Sequence, residues 1–96
     1  MNKILTVTIA KDVIAYIDKI DKKFDSHKFI RGLLKKYPLI YAELLKSYKD
    51  VRTANAQIAI FLRDNAGKIG IEKQSEKVIS HNLFLENTPN TNWRII

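Results

Sequence analysis

The run Ile4-Leu5-Thr6-Val7-Thr8-Ile9 constrains this chain more than any other stretch. Leu5, Val7 and Ile9 alternate with Thr6 and Thr8. A period of two puts the first set on one face of a strand and the second set on the other. The β-branched residues in the run suit a pleated strand. No partner strand follows it directly, because the next segment has a helical pattern. A lone strand leaves backbone groups unpaired along both edges. A second copy of the same strand, from another subunit, satisfies one of those edges. The expected product is an intermolecular antiparallel ribbon of two strands, with Leu5, Val7 and Ile9 facing the dimer core and the threonines facing out. That expectation requires the run to be extended and shared; burial against its own subunit would refute it.

Ala10 to Lys23 reads as a helix. Val13, Ile14, Ile17, Ile20 and Phe24 recur at three- and four-residue steps and form one apolar stripe. Ala10 cannot accept an orphan N–H bond at its start, although Asp12 suits the first turn. Phe24-Asp25-Ser26 reads as a turn, with Asp25 or Ser26 able to cap a second helix from about Ser26 to Tyr37. Phe29, Ile30, Leu33, Leu34 and Tyr37 form its apolar set. Gly32 in its middle disfavours helix by about 1 kcal/mol relative to Ala, so either a close approach or simple tolerance accounts for it.

Pro38 ends that helix and suits the first turn of another. Leu39 to Asn65 reads as one long helix. Tyr41, Leu44, Tyr48, Val51, Asn55, Ile58 and Leu62 follow heptad spacing. A single inner Asn fixes register in coiled coils, so Asn55, Tyr41 and Tyr48 are candidate interface residues. The alternative is an ordinary amphipathic helix on its own domain, which Leu45, Ile60 and Phe61 favour by widening the stripe. Gly67 closes the helix. Lys68 to Ile71 is a connector. Gln74 to Glu86 reads as a further helix, with Phe84 equally able to begin a strand. Trp93-Arg94-Ile95-Ile96 is an apolar tail expected to dock. The expected organisation is therefore 1–37, 38–66 and 67–96.

A chain of 96 residues buries a thin core, which again favours an oligomer. The net charge is +7, and residues 1–37 carry most of it, with nine Lys/Arg against four Asp/Glu. A basic surface there suits nucleic acid or an acidic partner. The chain has no cysteine, so disulfides and thiolate metal sites are excluded. No apolar run approaches a membrane span, and no signal-peptide pattern opens the chain, so a cytoplasmic protein is expected. No Ser/His/acid set, Gly-rich phosphate loop or metal box occurs. The expectation is a protein that is not an enzyme and has no cofactor.

Strand, helix, turn and helix in residues 1–37, with this charge, resemble the ribbon-helix-helix DNA-binding proteins of the Arc, MetJ and CopG type. The residues carrying the likeness are Leu5-Thr6-Val7-Thr8-Ile9, then Val13, Ile17 and Ile20, then Phe29-Ile30-Arg31 with an apolar pair. Over residues 1–37 the resemblance implies a homodimer with one shared ribbon and two short helices; with the long third helix and the short C-terminal helix and tail read from the residue spacing, the expected fold is mainly α. It implies double-stranded DNA as partner, with the ribbon in the major groove. Thr6, Thr8 and Ile4 would then face base edges. Lys3, Lys11 and the start of the second helix at Ser26, His27 and Lys28 would hold phosphates. Leu5, Val7, Ile9, Ile30, Leu33 and Leu34 would form the dimer interface.

The function implied is a sequence-specific transcriptional repressor of plasmid or phage type. Three alternatives remain: a plasmid partition adaptor or conjugation accessory protein, an antitoxin, and an interaction module that has lost DNA binding. In several of these, residues 38–96 engage an effector protein.

Overall fold

Thr6 begins a helix rather than lying in a strand. In the computed structural model, which describes residues 4–84 and 86–96, Thr6 is extended and its Oγ1 accepts the Ile9 N–H at 3.2 Å. Helix α1 follows from Val7 to Tyr16. Leu5 is fully buried among residues of its own chain, and Ile4, Val7 and Ile9 pack half-buried against the same core. The shared ribbon is therefore corrected: the run is one turn of chain, a cap and the first turn of a helix. Helix formation satisfies backbone groups locally and needs no second subunit. The period of two gives way to Ala10, Val13, Ile14 and Ile17, buried at helical spacing.

Helix α1 stops at Tyr16, well before the Lys23 that periodicity suggests. Lys19 Nζ folds back to donate to the carbonyls of Ile14 (2.6 Å) and Ile17 (2.9 Å), satisfying orphan acceptors at the helix end. Ile20 is left 77% exposed. Asp21 and Lys22 both have positive φ, and Lys23 N donates to the Ile20 carbonyl at 2.9 Å. Two central residues of positive φ make a tight reversal of the type I′ kind. It delivers a short strand, β1, at Lys23–Asp25.

Helix α2 runs Ser26–Lys36, helix α3 Pro38–Tyr48 and helix α4 Val51–Asp64. The expected long third helix is thus corrected to two. Lys49 turns left-handed at φ 69°, and Asp50 is extended, with its carboxylate accepting from Thr53 N–H at 2.8 Å. Aspartate competes with helix hydrogen bonding in an interior but caps well, so the chain restarts there. The break folds α4 back on α3, and the heptad positions Tyr41, Leu44, Ile58 and Leu62 are buried in one chain. Tyr41 donates its hydroxyl to Asn55 Oδ1 at 2.6 Å, which gives the inner Asn a partner within the chain.

A single helical turn, α5 (Ala66–Ile69), leads through Gly70 (φ 88°) into strand β2, Ile71–Lys73. The C-terminal helix expected over 74–86 is also corrected. Strand β3 covers Val78–His81 and pairs antiparallel with β4, Asn87–Asn90. Val78 and Ile79 are β-branched and prefer this state. Asn82 Oδ1 accepts from Phe84 N–H (2.8 Å) and Glu86 N–H (3.1 Å), closing the hairpin tip by an Asx-type turn. The tail forms strand β5, Asn92–Ile95.

Strand β5 is the centre of a three-stranded antiparallel sheet of order β1-β5-β2, in which Phe24 faces Trp93 and Ile71 faces Ile95. The β3–β4 hairpin is a separate two-stranded unit inserted in the chain between β2 and β5. The fold is thus mixed α and β, not the mainly α arrangement of a ribbon-helix-helix dimer. Phe29, Leu33, Leu44, Ile58 and Leu62 fill the helical core, and Phe24, Ile71 and Trp93 close it on the sheet side.

Candidate nucleic-acid interface

Helix α2 is amphipathic in a way its sequence explains. Phe29, Ile30 and Leu33 are buried, while Lys28, Arg31 and Lys35 lie three and four residues apart on the opposite side. Its start is firmly held. Asp25 Oδ1 accepts from Lys28 N–H at 2.8 Å, Asn90 Oδ1 from His27 N–H at 3.0 Å, and the Thr91 carbonyl from Ser26 N–H at 3.1 Å. These N–H groups would otherwise attract an anion. Here protein acceptors occupy all three. Ser26 is itself buried, and its Oγ accepts from Trp93 Nε1 at 3.0 Å.

Strand β3 lies alongside this helix. His27 Nδ1 is 3.1 Å from the Ser80 carbonyl and 3.0 Å from Ser80 Oγ. A carbonyl can only accept, so Nδ1 carries a proton, and in the neutral ring Nε2 accepts from the Thr88 hydroxyl at 3.3 Å. Asn90, buried, completes the stitching by donating Nδ2 to the Val78 carbonyl at 3.1 Å and Ser80 Oγ at 3.2 Å. Arg31 Nη1 donates to the His81 carbonyl.

The basic residues meet in two adjoining shallow grooves. One, of about 310 Å³, lies between the end of α1 and α2 and is bordered by Tyr16, Asp18, Lys28, Arg31 and Lys35. The other, of about 270 Å³, runs from β1 to β3 and is bordered by Asp21, Lys23, Asp25, Lys28 and Val78. Lys28 belongs to both. Lys23, Lys28, Arg31 and Lys35 have no carboxylate within 4 Å among the described residues. Asp18, Asp21 and Asp25 also border the grooves, so four cations stand beside three carboxylates, one of which, Asp25, caps the helix.

Lys36 behaves differently. Its Nζ is 2.9 Å from Asp12 Oδ2 and lies over the rings of Tyr16 and Tyr37, and Tyr37 donates its hydroxyl to the same carboxylate. The hydrogen bonds from Tyr37 and Lys36 hold the Asp12 carboxyl below its usual range, and Asp12 in turn raises the pKa values of Lys36 and Tyr37. This cluster ties α1 to the end of α2. Burial raises the Tyr41 hydroxyl, against the opposing effect of Asn55.

The residues expected from sequence to touch DNA are scattered. Thr6 is a helix cap, Thr8 and Lys11 are exposed on α1, and Ile4 is half-buried on the core; Lys3 lies outside the described residues. Only Lys28 lines the grooves, with His27 and Ser26 turned toward the hairpin and the sheet. Ile30 and Leu33 of the expected interface are buried in the core, Leu34 is exposed, and Tyr48 is half-buried against the core. Lys23, Arg31 and Lys35 were not singled out by sequence. For Arg31 and Lys35 the signal was present in the three- and four-residue spacing of cations on the polar face of α2, whereas Lys23 lies on β1.

Among the described residues, no group of three His, Asp or Glu side chains gathers to hold a metal, and no helix is long and apolar enough to cross a membrane. Comparison with known proteins finds no matching family model, no similar curated protein and no similar solved structure.

Proposed function

We propose that this chain is a sequence-specific binder of double-stranded DNA and acts as a cytoplasmic transcriptional repressor, not as an enzyme. The reading is carried by the continuous line of Lys23, Lys28, Arg31 and Lys35, free of ion pairs among the described residues and bordered by the β3 strand. Helix α2 spans about 16 Å, and a helix of this kind fits the major groove. Lys28 and Lys35, as flexible point charges, suit phosphates, whereas the planar Arg31 suits a guanine edge or a bidentate phosphate. The projecting hairpin then meets the backbone beside the helix. The basic line is contributed by residues of one chain.

Selection from a pool of randomised duplexes tests this reading. The protein recovers a common motif, and combined replacement of Lys28, Arg31 and Lys35 by Ala weakens binding to that motif by at least about tenfold, with the circular dichroism spectrum unchanged. Recovery of no motif, or a triple variant that binds like the parent, would contradict the proposal.

A further inference from the structure

Beneath the hairpin, away from the basic line, lies a cleft of about 300 Å³ between α2, α4 and the β3–β4 tip. Its volume stands at the lower end of small-molecule sites and equals the share of about ten waters. One part is apolar, formed by Ile30, Ala56, Ala59 and Leu83. The other part presents two cations, Lys77 and Arg52, the latter already paired through one nitrogen with Glu86 just outside the lining. We propose that this cleft binds a small aromatic carboxylate, with its ring against the apolar wall and its anion between Arg52 and Lys77.

Arg52 is positioned for that role. Its guanidinium stacks on the Phe84 ring at 4.3 Å, and Nη2 donates to Glu86 at 3.0 Å. These contacts fix the plane of the group. Arginine has five N–H donors, and the others have no partner among the described residues. Lys77 has no carboxylate within 4 Å among the same residues. A planar fork with spare donors beside an apolar wall selects an anion that carries a ring. The amides of Asn55 and Asn82 at the rim add hydrogen-bonding groups for orientation. The site stands whether or not the protein binds DNA, because it shares no cation with the basic line.

Titration of the labelled full chain with benzoate, followed by amide chemical shifts, tests this. Saturable shifts are expected at Asn55, Ala56, Ala59 and the hairpin tip, with a dissociation constant in the millimolar range or tighter. Neutral benzamide binds at least about tenfold more weakly, and Arg52→Gln weakens benzoate by a similar factor. Ala56→Phe fills the cleft and abolishes the shifts; the solvent-exposed position makes the change compatible with folding, and the rest of the spectrum checks it. Unsaturable shifts, equal binding of benzamide, or benzoate binding untouched by both variants would overturn the proposal.

Discussion

Gly32 is occupied by glycine because the end of α1 presses against it. A Cβ built there would meet Ile17 Cγ2 at 2.2 Å and Val13 Cγ1 at 3.2 Å. Both neighbours are β-branched and buried, so neither moves freely. Gly32→Ala gains about 1 kcal/mol of helix propensity. Overpacking of this kind costs about 1–3 kcal/mol, so the net effect expected is a loss of about 1 kcal/mol. Urea unfolding checks this: a lower midpoint with unchanged slope is expected, and a higher midpoint would show that the close approach relaxes without penalty. Thr6 teaches a related lesson at the same scale. In sequence it alternates with apolar neighbours and suits a strand. One hydroxyl bond to Ile9 N–H is enough to make it a helix cap instead. The signal was legible in one respect, for a helix starting at Ala10 had no capping residue, and Thr6 supplied one a turn earlier.

Helix α2 was legible in sequence, whereas the caps at Thr6 and Asp50 and the elements decided by long-range pairing were not. Asp25 and the stripe Phe29, Ile30 and Leu33 place α2 within a residue of its observed limits. By contrast, β1 and β5 exist because Phe24 and Trp93 face each other across 69 positions of sequence, which local pattern cannot report. Val78 and Ile79 fit the spacing of a helix as well as that of a strand, and Asn90 decides by bonding across to Val78 and Ser80. The break between α3 and α4 rests on Asp50. Hydrogen bonds from the Thr53 backbone and hydroxyl hold its carboxyl below the usual range. Contacts with Asn82 and Arg52 do the same for Glu86 at the hairpin tip. A carboxyl depressed in the folded state contributes stability that is whole above its unfolded pKa and is lost as pH falls through the folded one. The protein should therefore lose stability steadily on acidification below the ordinary carboxylate range. Asp50→Asn keeps a capping oxygen but not the titration, so its urea midpoint should fall less between pH 6 and pH 3 than the parent's, by about the share of one carboxyl. An identical fall in both would remove Asp50 from the account.

At the scale of the molecule, the chain carries a net charge of +7, and three of its cations are ion-paired among the described residues. Asp12 pairs with Lys36, Glu86 accepts from one nitrogen of Arg52, and Asp64 pairs with Arg63. Of the cations with no ion pair among the described residues, Lys23, Lys28, Arg31 and Lys35 border the two adjoining grooves, with others such as Lys77 lying elsewhere. The sequence concentrated charge in residues 1–37, and that concentration persists in the structure, but on α2 and β1 instead of on a ribbon. The four cations of this face lie outside residues 4–9, whose structure differs from the expected strand. The role of the face is tested most directly by the affinity for a labelled duplex as a function of salt. Each phosphate neutralised contributes about −0.9 to the slope of log K against log salt. The intact protein should show a slope of about −3 to −4, and the triple Lys28, Arg31 and Lys35 to Ala variant a slope shallower by about 3. A parent slope near zero, or the same slope in both proteins, would contradict the assignment of this face to DNA.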